Sequence, residues 1–229
     1  MAMLNTPLFD SLAKEKKELL STYLTKVLKA NERINLTRIE NFEEGMLLHI
    51  EDSLTALPEL NSAPNGPYAD LGSGGGFPGV PLAICSERMT TLVDSRAKKM
   101  VTVETILEDM GLNETVTTYS GRAELLARFK RNEYSVITAR ALSKISVLME
   151  LSSPLLRNYG HLICYKANVD EEEYQHARNL EKKLNMKLAS DRSFKLGEEY
   201  ERRILVFEKR GEARVKLPRL EGAAQKQPL

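Results

Sequence analysis

The run Asp70-Leu71-Gly72-Ser73-Gly74-Gly75-Gly76-Phe77-Pro78-Gly79 is where this chain most clearly offers chemistry. It follows the short apolar stretch Pro67–Leu71 and precedes Pro81, whose missing N–H costs nothing in a first helical turn. A strand that ends in such a loop and feeds a helix lets a ligand approach bare backbone, because no Cβ stands in the way. Gly74-x-Gly76-x-x-Gly79 also satisfies the dinucleotide pattern, a weak signal alone. Asp70 argues against a pyrophosphate: its charge at the strand's carboxyl end suits a cation, whereas a pyrophosphate wants a helix N-terminus and no negative neighbour. A methionine-derived sulfonium is such a cation, so the loop favours S-adenosylmethionine. A dinucleotide, another nucleotide, or a tight turn without ligand remain open on the loop alone.

Other chemistry-bearing residues fall where further strands should end. Asp94 stands 22 positions after Gly72 and is placed to accept hydrogen bonds from ribose hydroxyls, or to cap the following helix. Gly121-Arg122-Ala123-Glu124 follows the third strand, where backbone and the Glu124 carboxylate could read a base edge, or simply start a helix. Arg140, in Thr138-Ala139-Arg140-Ala141, is a poor core residue, so it should face the site or pair with Glu124 or Asp70. Lys166 follows the apolar Leu162-Ile163-Cys164-Tyr165 at its ligand-facing end, and Tyr165 could stack on a base or serve the core. No paired carboxylates, Cys/His nucleophile pair or metal-ligand spacing appears, so no metal is expected.

The elements that must hold these residues divide near residue 65. Before it, Leu20, Tyr23, Leu24, Val27 and Leu28 mark one apolar helical face, and Leu47, Ile50, Leu54 and Leu57 another. Asn41 and Glu44 form a capping box for the second helix. On a 3.6-residue wheel His49, Asp52 and Ser53 project opposite the second stripe, as one polar face that either serves the site or is simply solvated. After the linker 61–67, strands are expected near 67–71, 90–94, 115–119, 134–138, 160–166, 187–193 and 203–209. Helices are expected near 80–87, 96–110, 121–129, 143–156 and 170–184. This alternation implies an α/β fold with a mainly parallel sheet, helices on both faces and an antiparallel hairpin at one edge.

Composition bounds the function. At 229 residues and 42% hydrophobic, the chain can bury one good core. With 33 basic against 32 acidic residues, a nucleic-acid surface would have to be a local patch. Cys85 and Cys164 lie far apart in apolar surroundings and read as reduced packing residues. No signal sequence or membrane-length apolar stretch is present, so a cytoplasmic protein is expected. Lys98 and Lys99 read as solvated. The polar tail from Gly211, with Pro218 and Pro228, reads as a disordered terminus or an RNA-touching one.

Taken together, Asn31-Glu32-Arg33-Ile34-Asn35-Leu36-Thr37, His49-Ile50-Glu51-Asp52-Ser53-Leu54, the glycine loop, Gly121–Glu124, Ala139–Ala141 and Tyr165-Lys166 resemble the ribosomal RNA small subunit methyltransferase G family, over about residues 8–210. The resemblance implies a Rossmann-like class I methyltransferase sheet at 65–210, an N-terminal helical extension at 1–64 and a C-terminal tail at 211–229. It implies S-adenosylmethionine as methyl donor and N7 of a guanine in 16S rRNA, or in the small ribosomal subunit, as acceptor. Gly72, Phe77, Ala123, Glu124 and Arg140 would bind the cofactor, beside Asp70, Gly74, Gly76 and Asp94 from the loop and ribose readings. Arg122, Lys166 and Arg202 match basic family positions serving RNA binding or catalysis, and Asn35 and His49 would touch RNA. Arg140, Lys166 and Asp52 are the catalytic candidates, Asp52 as a carboxylate stabilising charge that develops on the base. Guanine N7 already holds an in-plane lone pair, so its methylation needs no general base and catalysis can be positional. A monomer is expected. An NAD- or nucleotide-binding oxidoreductase and a non-catalytic RNA-binding module remain the alternatives.

Overall fold

A computed structural model describes residues 6–229. Seven strands form one sheet: β1 (Tyr68–Leu71), β2 (Thr90–Asp94), β3 (Val116–Ser120), β4 (Tyr134–Arg140), β5 (Leu156–Lys166), β6 (Met186–Leu196) and β7 (Tyr200–Lys209). Their order is β3-β2-β1-β4-β5-β7-β6. The first five pair in parallel, while β7 runs antiparallel to both β5 and β6. The expected hairpin is therefore present, with its second strand inserted next to β5. The order reverses between β1 and β4, so the carboxyl ends of β1, β2 and β4 flank the crevice where ligands bind in such sheets.

Helices α6 (Gly79–Ser86) and α7 (Ala97–Asp109) cover one face together with the N-terminal α2 (Lys14–Asn31). The buried stripe of α2 is Leu20, Tyr23, Leu24 and Val27, as its spacing dictates. Helices α8 (Ala123–Phe129), α9 (Ile145–Ser152) and α10 (Glu171–Leu184) cover the other face, around β4, β5 and β7. A short α1 (Pro7–Asp10) precedes α2, and Glu51 accepts hydrogen bonds from the Leu8 and Phe9 N–H groups at 2.8 and 2.9 Å. Cys164 is buried and Cys85 half-buried, both as free thiols that burial pushes up in pKa, to about 12 and about 11.

Two segments depart from the sequence expectations. The second N-terminal helix starts as α3 (Phe42–Gly45), with Asn41 accepting from the Glu44 N–H at 2.7 Å as the capping box requires. It then widens into a π-helical stretch, Met46–Glu51, before α4 (Asp52–Leu54) and α5 (Leu57–Ser62). Five-residue hydrogen-bond spacing rotates side chains away from a 3.6-residue wheel. His49, Asp52 and Ser53 are buried together with the apolar residues between them, and the polar face read from the sequence is an interior wall. The chain beyond Gly211 is also ordered against the molecule. Leu217 and Ala224 are buried, Arg219 makes two 2.7 Å bonds to the buried Glu150, and residues Ala223–Lys226 form the short α11.

Candidate active site

Tyr23 shapes the loop between β1 and α6. Its hydroxyl donates to the Gly75 carbonyl at 2.9 Å, and a Cβ on Gly76, where φ is +84°, would lie 2.0 Å from that oxygen. Gly76 is thus required by the N-terminal helix packed on the loop, and it is buried. Gly72 and Gly74 are the partly open members. Phe77 is buried between Tyr23, edge-on at 5.5 Å, and His49, stacked at 4.3 Å.

Asp70 does not present a charge to the crevice. Its carboxylate is fully buried and accepts from the Thr138 hydroxyl at 2.7 Å and the Gly79 N–H at 3.0 Å. Burial raises its pKa to about 7, against the lowering effect of those two donors and of Arg140. Its position ties β1 to β4 and to the start of α6, which corrects the reading of Asp70 as a partner for a cation.

Two cavities open at the carboxyl edge of the sheet. The first, about 80 Å³, lies against the ends of β1, β2 and β3. Gly72, Asp94, Ser95, the Gly121–Glu124 turn, Leu142 and Gln225 contribute to its wall. Asp94 accepts from the Gly74 N–H at 3.0 Å and the Arg96 N–H at 2.8 Å, so each oxygen keeps a lone pair for a hydroxyl donor. Ala123 and Glu124 open α8, and Glu124 accepts from the Gly222 N–H at 2.7 Å. Arg122 is exposed at the same rim.

The second cavity, about 560 Å³, lies beyond the ends of β4 and β5, with Leu142 of the β4–α9 loop on the first cavity and its neighbours Ala141 and Ser143 on the second. Ala141 takes φ +53°, a strained value for a side-chain-bearing residue, in the loop between the two cavities. Arg140 pairs with Asp52, at 2.7 Å, and not with Glu124 or Asp70 as expected. Arg202 takes the other Asp52 oxygen at 2.9 Å. Asp52 is 5% exposed and each of its oxygens accepts from one guanidinium, so its charge is already paired with two cations and is not the free carboxylate expected to stabilise charge on a base. Lys166 pairs with Glu173 at 2.6 Å and donates to the Ser143 carbonyl at 3.3 Å.

His49 completes this wall. Arg140 can only donate, so its 3.3 Å contact makes His49 Nδ1 an acceptor and leaves the proton on Nε2, which donates to Thr37 Oγ1 at 2.7 Å. Burial first, then Arg140, lowers the imidazole pKa to about 3, so the ring is neutral across the working range. Tyr165 is core, with its hydroxyl donating to the Ser53 carbonyl at 2.7 Å. Asn35 is exposed and outside both cavities, in a loop that Asn31 shapes by accepting from the Leu36 and Thr37 N–H groups. Lys99 is not solvated: it donates to the Leu36 carbonyl at 2.8 Å and tethers that loop to α7, whereas Lys98 is exposed.

The family model described as rRNA small subunit methyltransferase G matches residues 16–205, most of the described chain. This chain belongs to that family. Curated members named ribosomal RNA small subunit methyltransferase G include one from Bacillus pumilus, 35% identical over 93% of this chain and 90% of that one. One from Listeria monocytogenes is 36% identical over 90% of this chain and 88% of its own length. Among solved structures, the O-methyltransferase from Bacillus cereus in complex with SAH aligns with a TM-score of 0.58 and 16% identity, over 82% of this chain and 91% of that one. At that identity the likeness shows the fold, a Rossmann-like methyltransferase sheet.

Placed on the family's sheet, the residues expected from sequence separate into three groups. Gly72, Asp94, Arg122, Ala123 and Glu124 gather at the first cavity, and His49, Asp52, Arg140, Lys166 and Arg202 at the second. Asp70, Gly76 and Phe77 support the loop from inside. Glu173, Ser143, Asn168 and Gln225 went unnoticed in the sequence. Glu173 follows Asp170, which accepts its N–H at 2.7 Å as helix cap; that Asp-x-x-Glu pattern was the available signal.

Proposed function

We propose that this chain transfers a methyl group from S-adenosylmethionine to N7 of a guanine in 16S rRNA. The observation that carries the reading is the second cavity: a basic wall in which no group is free to take a proton. His49 is neutral with both nitrogens engaged, Asp52 is held by two arginines, and Lys166 is paired with Glu173. Methylating N7 requires no proton removal, so such a wall suits that acceptor better than an amino or hydroxyl group. S-adenosylmethionine, when bound, supplies an electrophilic sulfonium methyl.

The chain's residues do the positioning. Asp94 accepts from ribose hydroxyls, the bare backbone of Gly72 and Gly74 admits the ligand, and the Gly121–Glu124 turn meets the adenine. Arg140, Arg202 and Lys166 offer donors for the guanine O6 and neighbouring phosphates. Asp52 and Glu173 hold those cations in fixed orientation. The family membership supports small-subunit rRNA as the substrate class, and the relatives' names carry the same words.

The test supplies methyl-labelled S-adenosylmethionine and small subunits lacking the modification, then digests the RNA and identifies the labelled nucleoside. Label in 7-methylguanosine at one 16S position is expected. Label in another nucleoside, or in transfer RNA only, would overturn the acceptor assignment.

A further inference from the structure

The C-terminal segment 217–229 is fastened along the side of the molecule that carries the first cavity. Arg131 donates to the Leu217 carbonyl at 2.9 Å, Arg219 grips Glu150 and also donates to the Gln227 carbonyl, and His176 donates to the Leu229 carbonyl at 2.9 Å. Between these anchors the strap crosses the cavity rim. Ala224 is buried, Gln225 contributes to the cavity wall, and the Gly222 N–H meets Glu124 Oε1 at 2.7 Å.

That last bond bears on the ligand. Glu124 is 5% exposed, and among the described residues the Gly222 N–H is its hydrogen-bond partner. One oxygen is therefore spent on the strap. The other belongs to a carboxylate whose orientation the strap sets, in a wall shared with Asp94 and Gly72. Among the described residues that oxygen is unpartnered, and it is not closed off by the protein, so it can accept from a donor in the cavity. An aminopurine offers one from its exocyclic amino group, and a hypoxanthine base in the same pose presents an acceptor instead. Gln225, with an amide that both donates and accepts, sits where the outer side of the base edge would be enclosed.

We propose that the C-terminal strap is part of the nucleoside site: Gly222 aims Glu124 at the amino group of the adenine, and Gln225 closes the base edge. The inference rests on assigning the first cavity to the adenosine half of the cofactor. It makes Gly222 a positioning residue, acting through Glu124, and Gln225 a binding residue. It also gives an ordered tail a task that neither a disordered terminus nor an RNA arm explains.

Calorimetric binding of S-adenosylhomocysteine and of its hypoxanthine counterpart to the full-length chain tests this. Two variants are compared with the wild type: Gln225→Ala, and Ala224→Arg, which wedges the strap off its buried seat. The wild type should favour the adenine compound by about tenfold or more, as expected for a hydrogen bond to a charged group. Ala224→Arg should lose about tenfold in affinity for the adenine compound and bring the two compounds towards parity, and Gln225→Ala should lose about threefold. Unchanged affinities in both variants would overturn the proposal. So would an equal loss for both compounds, which marks a merely structural role. Asp94→Ala, on the ribose side, should weaken both compounds together. A wild type that binds neither compound would overturn the cavity assignment itself.

Discussion

Replacing Asp52 by Asn tests the charge cluster that walls the second cavity. The substitution keeps shape and one acceptor oxygen but removes the charge between Arg140 and Arg202, whose side chains are 15% and 17% exposed. Unit charges about 4 Å apart at an effective dielectric of about 20 interact by about 4 kcal/mol. Breaking a buried pair from one side typically costs about 3–5 kcal/mol, because a charge is left uncompensated. Partial exposure of both guanidiniums places Asp52→Asn near the lower end, at about 3 kcal/mol. For a chain of this size that corresponds to a fall of about 6–12 °C in Tm. Arg202→Gln in the Asp52→Asn background removes the repelling cation, so the double variant should be no less stable than Asp52→Asn alone. Single-turnover methyl transfer, with Arg140 no longer held, should fall by at least about tenfold. Equilibrium denaturation and a quenched methyl-transfer time course measure both. A Tm within a degree of wild type with methyl transfer within twofold would refute the reasoning.

Gly76→Ala should destabilise by more than about 2 kcal/mol, since its Cβ would sit 2.0 Å from the Tyr23 hydroxyl at a left-handed φ; adding Tyr23→Phe should recover part of that loss in denaturant midpoint. The His49 imidazole, with its pKa lowered to about 3, should show no titration by NMR between pH 5 and 8; a midpoint near 6.5 would mean the ring is solvated and Arg140 is elsewhere. Asp70 has the opposite linkage. Its folded pKa of about 7 exceeds the unfolded value near 3.8, so the folded state binds the extra proton and stability falls as pH rises from about 4 to about 7. Asp70→Asn should remove that slope, so the variant gains on wild type in urea midpoint between pH 5 and 7.5. A constant difference across that range would show that Asp70 is ionised throughout.

The sheet was legible because its strands are bounded by turn residues and spaced by amphipathic helices, so Asp70, Asp94 and Arg140 fell at strand ends as read. Contacts set by the third dimension were less so. A carboxylate at a strand end can face the crevice or turn inward, and nothing in the order of residues revealed that Thr138 and the Gly79 N–H would claim Asp70. Arg140 needed a carboxylate, but the one supplied lies 88 residues earlier, in the N-terminal helical layer, where no sequence neighbour could point to it. His49 and Asp52 do share one polar face as their spacing implied, but the sequence left open whether that face met the site or solvent; burial of every residue from His49 to Ala56 decides it. The tail read as disordered or RNA-touching because it is polar; buried Leu217 and Ala224, with bonds from Arg131, Arg219 and His176 and one to Glu124, fasten it to the molecule.

The N-terminal helices are part of the site's frame because they touch both cavities' supports through a continuous set of contacts. Tyr23 fixes the glycine loop at Gly75, Phe77 at the end of that loop packs on Tyr23 and stacks on His49, and His49 accepts from Arg140 in the wall of the second cavity. Asp52, one turn on, holds Arg140 and Arg202, while Lys99 of α7 ties down the Leu36 loop from the opposite side. Positional catalysis demands that donor and acceptor subsites keep a fixed spacing, since reacting atoms must meet within about 3–3.5 Å and an error of about 1 Å costs about a hundredfold. A glycine-rich loop alone is too free to guarantee that spacing. Here the freedom the glycines bring is removed by aromatic packing from outside the sheet. The same packing reaches the arginines of the second cavity, so one assembly sets the spacing between the two cavities.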